Sequence, residues 1–304
     1  MTLIECIERG AAQLQAANVS FGHGTVNAFD EAAWLVLWKL GLPLDTDLSD
    51  NVIKNRLMAD KDIEELAILF IARATQRKPA AYLTNEAWLQ GVPFYVDERV
   101  IVPRSLIAEL LVNGSIDPWL NESTHKVLDL CTGNGSLAIL AAMEFPDILV
   151  TACDLSIDAL DVARINVDKH ALADRITLLR SDGLRSPELA AHGPFDLILC
   201  NPPYVNAQSM AALPVEYKAE PAMALDGNVH GGHDGMDFIR DALKAAPQHM
   251  SENGVLVLEI GNERDNFETA FPKLETVWLQ TSAGADQVLL LTRAPIRAAF
   301  QSQP

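Results

Sequence analysis

Asn201, Pro202, Pro203 and Tyr204 end an apolar run, FDLILC at 195–200, and together these residue types suit the capture of a planar NH2 group. Neither proline has an N–H, and Pro203 restricts Pro202 to an extended conformation, so the turn offers carbonyl acceptors without competing backbone donors. With the Asn201 side-chain oxygen it can accept both hydrogens of an amide or an exocyclic amine, while Tyr204 can cover the face of that group. A continuous apolar strand reads as the interior of a parallel sheet, and ligands of such sheets bind beyond the carboxyl ends of the strands. Asn-Pro and Pro-Pro are also ordinary strand-ending punctuation, so the turn needs company before it becomes a site.

That company lies upstream in HKVLDLCTGNGSLAI, residues 125–139. Lys126 to Cys131 reads as a short parallel strand, Gly133 and Gly135 as a tight turn, and Ser136 onward as an apolar helix. Glycines there let the backbone approach a ligand, and the helix amino terminus favours a carboxylate or phosphate. Leu137 or Ala138 stands where a dinucleotide fingerprint needs its third glycine, so a phosphate cradle is not the expectation. Asp154 follows Asp129 by 25 residues, at the end of DILVTACD, a spacing that suits an acid reading ribose hydroxyls. Asp154, Ser156 and Asp158 also stand where they would cap a helix over Ala159 to His170. Ser181 and Asp182 end the strand RITLLR, where a carboxylate can accept from an adenine amino group. Glu220, Pro221, Asp226 and Glu259 are weaker candidates. Arg104 is placed either to reach a ligand carboxylate or to pair with Glu109 along the following helix.

Three kinds of element must position these residues. Residues 1 to about 76 are expected to be helical, with Ile63, Leu66, Leu69 and Phe70 on one face. From Trp88 to Val102 an alternating pattern broken by Gly91 and Pro93 predicts a β-hairpin. From Leu106 onward strands and helices alternate, which predicts a mostly parallel sheet covered on both sides. The last two strands, near Thr276–Gln280 and Gln287–Thr292, are joined by the short SAGAD segment and must be antiparallel.

Composition bounds the reading. The chain has 304 residues, 49% of them apolar and 21% charged, which is enough to bury a large core in an ordinary globular protein. Apolar runs stop short of bilayer length and MTLIECIERG lacks a secretory pattern, so a cytoplasmic protein is expected. Cys6, Cys131, Cys153 and Cys200 are dispersed, and three of them fall on predicted buried strands, which suits reduced core thiols. HGGH at 230–233 lacks further ligands at a recognisable spacing, so no metal is expected. A net charge of −18 without a dense basic run disfavours nucleic acid and suits attraction of a basic protein.

These motifs resemble the class I S-adenosylmethionine-dependent methyltransferases, and among them the protein glutamine-N5 methyltransferases. The resemblance extends through RKPAAYLTNEAWLQGVPFYVDERVIVPRS at 77–105. It implies an α/β fold with a seven-stranded, mostly parallel, Rossmann-like sheet carrying one antiparallel strand near an edge. It also implies a helical substrate-recognition domain at 1–85, a β-hairpin connection at 86–105 and a catalytic domain at 106–304. In such a protein Asp129, Thr132, Gly133, Asn134, Gly135, Asp154, Asp182 and Asn201 hold S-adenosylmethionine, and Asn201, Pro202, Pro203 and Tyr204 hold a glutamine amide. Asn201, Pro202 and Tyr204 would then carry catalysis, by orienting the amide and stabilising charge that develops on its nitrogen.

Two branches of that family differ here. Release-factor enzymes typically carry glycine at the position of Cys131 and Pro-Glu-Thr-Glu where this chain has Ser105 to Ala108. FGHGTVNAFDEA at 21–32, Cys131 and VDERVIVPRS resemble instead the branch acting on large-subunit ribosomal protein three, free or in an assembly intermediate. The alternatives are a release-factor methyltransferase, an N6-adenine or N4-cytosine nucleic-acid methyltransferase using the same turn on a flipped base, and a non-catalytic ribosome assembly factor.

Overall fold

Thr2 opens the first helix by a reciprocal cap: its hydroxyl accepts from Glu5 N at 3.3 Å while the Glu5 carboxylate accepts from Thr2 N at 2.8 Å. The computed structural model describes residues 1–301. Helices α1 (Leu3–Ala16), α2 (Ala28–Lys39), α3 (Asn51–Lys54), α4 (Asp60–Gln76) and α5 (Ala80–Thr84) form an amino-terminal helical layer. Its core is built on Leu3, Ile7, Leu14, Leu35, Leu66 and Phe70. Each such side chain fully removed from water contributes roughly 1.5–3 kcal/mol. This core does not stop with the helices, because Val96, Val100 and Val102 join it, as do Ala159 and Val162.

The expected hairpin is present but short. Strands β1 (Ala87–Leu89) and β2 (Val92–Phe94) pair antiparallel around Gln90 and Gly91. Beyond Phe94 the ladder ends because another partner takes the backbone: the Asn166 side chain accepts from Tyr95 N at 2.7 Å and donates to Tyr95 O at 3.0 Å. Asp97 then folds the chain on itself by accepting from Arg99 N and its guanidinium.

The remainder alternates as the pattern predicts: α6 (Ile107–Val112), β3 (Lys126–Leu130), α7 (Ser136–Glu144), β4 (Leu149–Asp154), α8 (Ile157–Lys169), β5 (Ile176–Arg180), α9 (Pro187–His192) and β6 (Phe195–Cys200). After α10 (Ala207–Ala212) come α11 (Asp237–His249), β7 (Met250–Glu259), α12 (Arg264–Ala270), β8 (Val277–Thr281), β9 (Gly284–Thr292) and α13 (Arg293–Gln301). The seven strands lie in the order β5-β4-β3-β6-β7-β9-β8. Only β9 runs against the rest, pairing antiparallel with both β7 and β8. The pleat divides each central strand between two cores. Val127, Leu197 and Val257 face α6 and α7, while Leu128, Ile198 and Leu256 pack with Ile239 and Leu243 of α11. Among the described residues no helix is long and apolar enough to cross a membrane.

Candidate active site

The strand order reverses between β3 and β6, and the register brings three strand ends level, since Leu130 lies opposite both Cys153 and Cys200. The loops leaving β3, β4 and β6 therefore open into one place, a cleft of about 650 Å³. Thr132, Gly133, Asn134, Asp154, Asp182, Asn201 and Pro203 line it. Asp129, Gly135, Pro202 and Tyr204 are not among its lining residues but adjoin them along the chain, at and just beyond the ends of β3 and β6.

The loop after β3 is held from beneath. Asp129 is 1% exposed, and one of its oxygens accepts from the Thr132 hydroxyl and from Ala138 N at 3.0 Å. Its other oxygen, and the Asn134 amide nitrogen, are buried without a partner in the chain. Burial pushes the Asp129 carboxyl up to about 7 against the two hydrogen bonds. Gly133 and Gly135 both take positive φ, +55° and +83°. A side chain on Gly133 would meet nothing within 4 Å, whereas a Cβ on Gly135 would sit 3.2 Å from that of Ala163. One glycine opens the cleft and the other lets α7 approach α8. Cys131 also turns left-handed, at φ +64°, a conformation that costs a non-glycine residue about 1–2 kcal/mol. It is thus a turn residue and not the end of a strand. All four cysteines are free, and Cys131 and Cys153 have thiols pushed up, Cys131 first by its contact with Cys200 and then by burial, Cys153 by burial.

Asp154 accepts from Gly133 N at 2.9 Å through one oxygen and from Ser156 N at 2.9 Å through the other. It thereby joins the β3 and β4 loops, and burial raises its carboxyl while these N–H groups oppose the rise. The helix cap is Ser156, which accepts from Ala159 N. Asp182 lies on the rim with its side chain 55% exposed, paired with Arg185 at 2.8 Å. Arg185 also holds Asp241, which stands 2.8 Å from His230 Nε2. Among the described residues no group of three or more His, Cys, Asp or Glu is placed to hold a metal ion.

The Asn-Pro-Pro-Tyr turn is braced on both sides. Tyr204 points its hydroxyl at Glu259, 3.5 Å away, at the end of β7. Glu259 is 4% exposed and also accepts from Ser105 Oγ at 2.6 Å and Leu106 N at 2.9 Å. Burial raises both the Glu259 carboxyl and the Tyr204 phenol. Arg104 does not pair with Glu109, which instead accepts from Ser282. Arg104 reaches across the cleft wall to Glu220, with contacts of 2.6 and 2.7 Å to its two oxygens. Sequence reasoning left Glu220 and Glu259 without roles and missed Glu216, Arg73, His23 and Asn166. Their partners lie far away in the chain, and only an acid in an otherwise apolar strand, as in VLVLEIG, signalled any of them.

A sheet of this order, with a glycine loop after its first strand and a prolyl turn after its fourth, defines a class I methyltransferase. Residues 109–224 match the Methyltransferase small domain. The hMettl16 catalytic domain, solved in complex with the MAT2A 3'UTR hairpin 6, shares this fold with a TM-score of 0.51 at 12% identity, over 77% of this chain and 81% of that one. The ribosomal protein uL3 glutamine methyltransferase of Bordetella pertussis is 51% identical over 96% of this chain and 95% of its own length. That of Burkholderia pseudomallei is 49% identical over 98% and 96%, and that of Neisseria gonorrhoeae 46% over 96% and 94%. The chain belongs to the family of ribosomal protein uL3 glutamine methyltransferases.

Proposed function

We infer that this protein transfers a methyl group from S-adenosylmethionine to the side-chain amide nitrogen, N5, of a glutamine in large-subunit ribosomal protein three. The observation that carries the reading is that Asn201 and Pro203 line the same cleft as Thr132, Gly133, Asn134 and Asp154. The relatives' names supply the substrate. The cleft also fits the cofactor: a buried, partnerless carboxylate oxygen on Asp129 and a partnerless amide nitrogen on Asn134 are complementary to an ammonium and a carboxylate.

A glutamine amide nitrogen is a weak nucleophile because its lone pair is delocalised into the carbonyl. The cofactor, when bound, supplies an electrophilic sulfonium methyl group. The chain's part is to act on the nitrogen. Asn201 Oδ1 and the Pro202 carbonyl accept its two hydrogens, fix the amide plane and stabilise the partial positive charge that grows on nitrogen. The proton is lost to water after transfer, when the alkylated nitrogen has become far more acidic. Asp154 would hold the ribose and Asp182 the adenine amino group, the latter requiring release or sharing of its contact with Arg185. Pro203 and Tyr204 complete the amide pocket. The same reading divides the chain into a substrate-recognition part at 1–85, a connection at 86–105 and a catalytic part at 106–304, and places the enzyme in the cytoplasm.

The test is incubation with cofactor labelled in the methyl group, ribosome-assembly intermediates and purified release factors together. Label on one glutamine of ribosomal protein three is the expected result. Label in RNA, in a release factor, or in neither protein nor RNA overturns the assignment.

A further inference from the structure

The segment that follows the Asn-Pro-Pro-Tyr turn carries two glutamates, Glu216 and Glu220, whose side chains are fully removed from solvent. Neither is held by its own neighbourhood. Glu216 Oε1 accepts from Ser20 N at 3.0 Å, Arg77 Nε at 2.6 Å and Arg73 Nη1 at 3.3 Å, all from the helical layer. Arg73 is itself completely buried and is shared with Glu31 of α2 at 2.7 Å. Charges therefore alternate along Glu31, Arg73, Glu216 and Arg77. Glu220 accepts from Val102 N at 2.9 Å and from both terminal nitrogens of Arg104, with His23 Nε2 at 3.6 Å. Between the two glutamates, the Tyr217 ring lies 4.3 Å from that of His23. Gly22, at φ +123°, packs so closely that a Cβ there would fall 2.2 Å from the Tyr217 hydroxyl.

The far end of the same segment is tied to the turn. Val205, next to Tyr204, donates its N–H to Leu225 O at 2.8 Å and pairs with Asp226, while Gly227 N donates back to Val205 O. Arg104, Pro221 and Met223 line the cleft beside Asn201 and Pro203. One side of this segment is thus a wall of the cleft, and the other is clamped, through Glu216 to Arg73 and Arg77 of the helical layer and through Glu220 to Arg104 and Val102 N of the segment that follows the hairpin, with His23 of the helical layer beside it. A buried carboxylate is costly unless paired and hydrogen-bonded. Here burial alone would raise both groups, yet their cationic and N–H partners hold both carboxyls down at about 2, so the clamp is ionised across the neutral range.

We propose that Glu216 and Glu220 are positioning residues through which the helical layer and the Val102–Arg104 segment together set the geometry of the amide-holding turn, with the FGHG segment at 21–24 as the mould for Tyr217 and as a neighbour of Glu220. This deepens the glutamine-methyltransferase reading and rests on it. It gives the branch-distinguishing FGHG segment a role in shaping the site from behind, through the wall that follows the turn.

The full-length protein tests this with Glu216→Gln, Glu220→Gln and, from the helical side alone, Gly22→Ala. Each folded variant is assayed well below its own melting temperature, by single-turnover methyl transfer at saturating labelled cofactor and saturating ribosomal protein three. Cofactor affinity is measured by calorimetry and amide exchange over 205–226 by mass spectrometry. The transfer rate should fall tenfold or more in all three, with cofactor affinity within threefold of the parent and faster exchange over 205–226. A merely structural role would lower the melting temperature and leave the rate at saturation intact. Folded variants with parental rate and parental exchange overturn the proposal. If the parent protein itself fails to methylate ribosomal protein three, the functional reading fails, and the exchange measurement still decides the clamp.

Discussion

Asn201 and Asp154 stand at the ends of different strands, and their single substitutions separate chemistry from cofactor capture. On the proposed mechanism, Asn201→Ala removes an acceptor whose main effect would be felt as charge develops on the substrate nitrogen. Turnover should fall roughly 100-fold or more while cofactor affinity changes much less. Single-turnover kinetics checks this, and near-parental turnover would reduce the turn to a structural feature. Asp154→Ala should weaken S-adenosylmethionine binding by ~1.5 kcal/mol or more, on the scale of hydrogen bonds to charged groups. Because Asp154 also anchors Gly133 N and Ser156 N, a second variant is needed to read that loss as a ligand contact. Asp154→Asn keeps an acceptor for the loop, so calorimetry on both distinguishes a lost contact from a slack loop.

At the scale of elements, the β3–α7 turn uses its two glycines differently, and this too can be measured. Both Gly133→Ala and Gly135→Ala introduce left-handed backbone strain of about 1–2 kcal/mol. Only the second also drives a methyl group against Ala163, so Gly135→Ala should give the lower melting temperature. Gly133→Ala projects its methyl group into the open cleft and should weaken cofactor binding more than it lowers stability. The opposite ranking in calorimetry and thermal unfolding would mean that Gly133 is not at the ligand. On α8, Asn166 is fully buried and bonds both backbone groups of Tyr95 as well as Asn134 O. Asn166→Ala should destabilise the protein on the order of 3 kcal/mol, because it leaves buried backbone groups unsatisfied in the connection and the glycine loop at once. Urea unfolding with an unchanged midpoint would contradict that account.

For the molecule as a whole, the carboxylates pull stability in opposite directions with pH. Glu216 and Glu220 have carboxyls lowered from 4.5 to about 2, so their contribution is complete above pH 4.5 and is lost as pH falls toward 2. Asp129 is raised from 3.8 to about 7, so its contribution is complete below pH 3.8 and is lost as pH rises through 7. Without cofactor, stability should therefore fall on both sides of a mildly acidic optimum. Asp129→Asn should flatten the decline between pH 4 and 7 and leave the acid limb in place. Urea midpoints across that range check it. An unchanged neutral limb would assign the decline to the other buried acids with raised carboxyls, Asp154 and Glu259.

The residues around the cleft divide by the range of the forces that place them. Strand ends, the glycine loop and the prolyl turn were legible in the sequence because each is local. An apolar run that stops at DLCTGNG or NPPY must end at a sheet edge, and parallel strands joined by helices bring those edges to one side. Tertiary structure alone decided which side chain answers which. Arg104 finds Glu220 from 116 residues away, where the local alternatives were a ligand carboxylate or Glu109 on the following helix, and Ser20 finds Glu216 from 196. The hairpin ends early because Asn166, 71 residues distant, takes the Tyr95 backbone. Asp182 faces solvent beside Arg185, although its place after a strand looked like that of Asp154. A short-range pattern fixes where a chain turns. The partner of a buried charge is chosen only by packing, since ion pairing in the interior depends on which distant groups lose their water together.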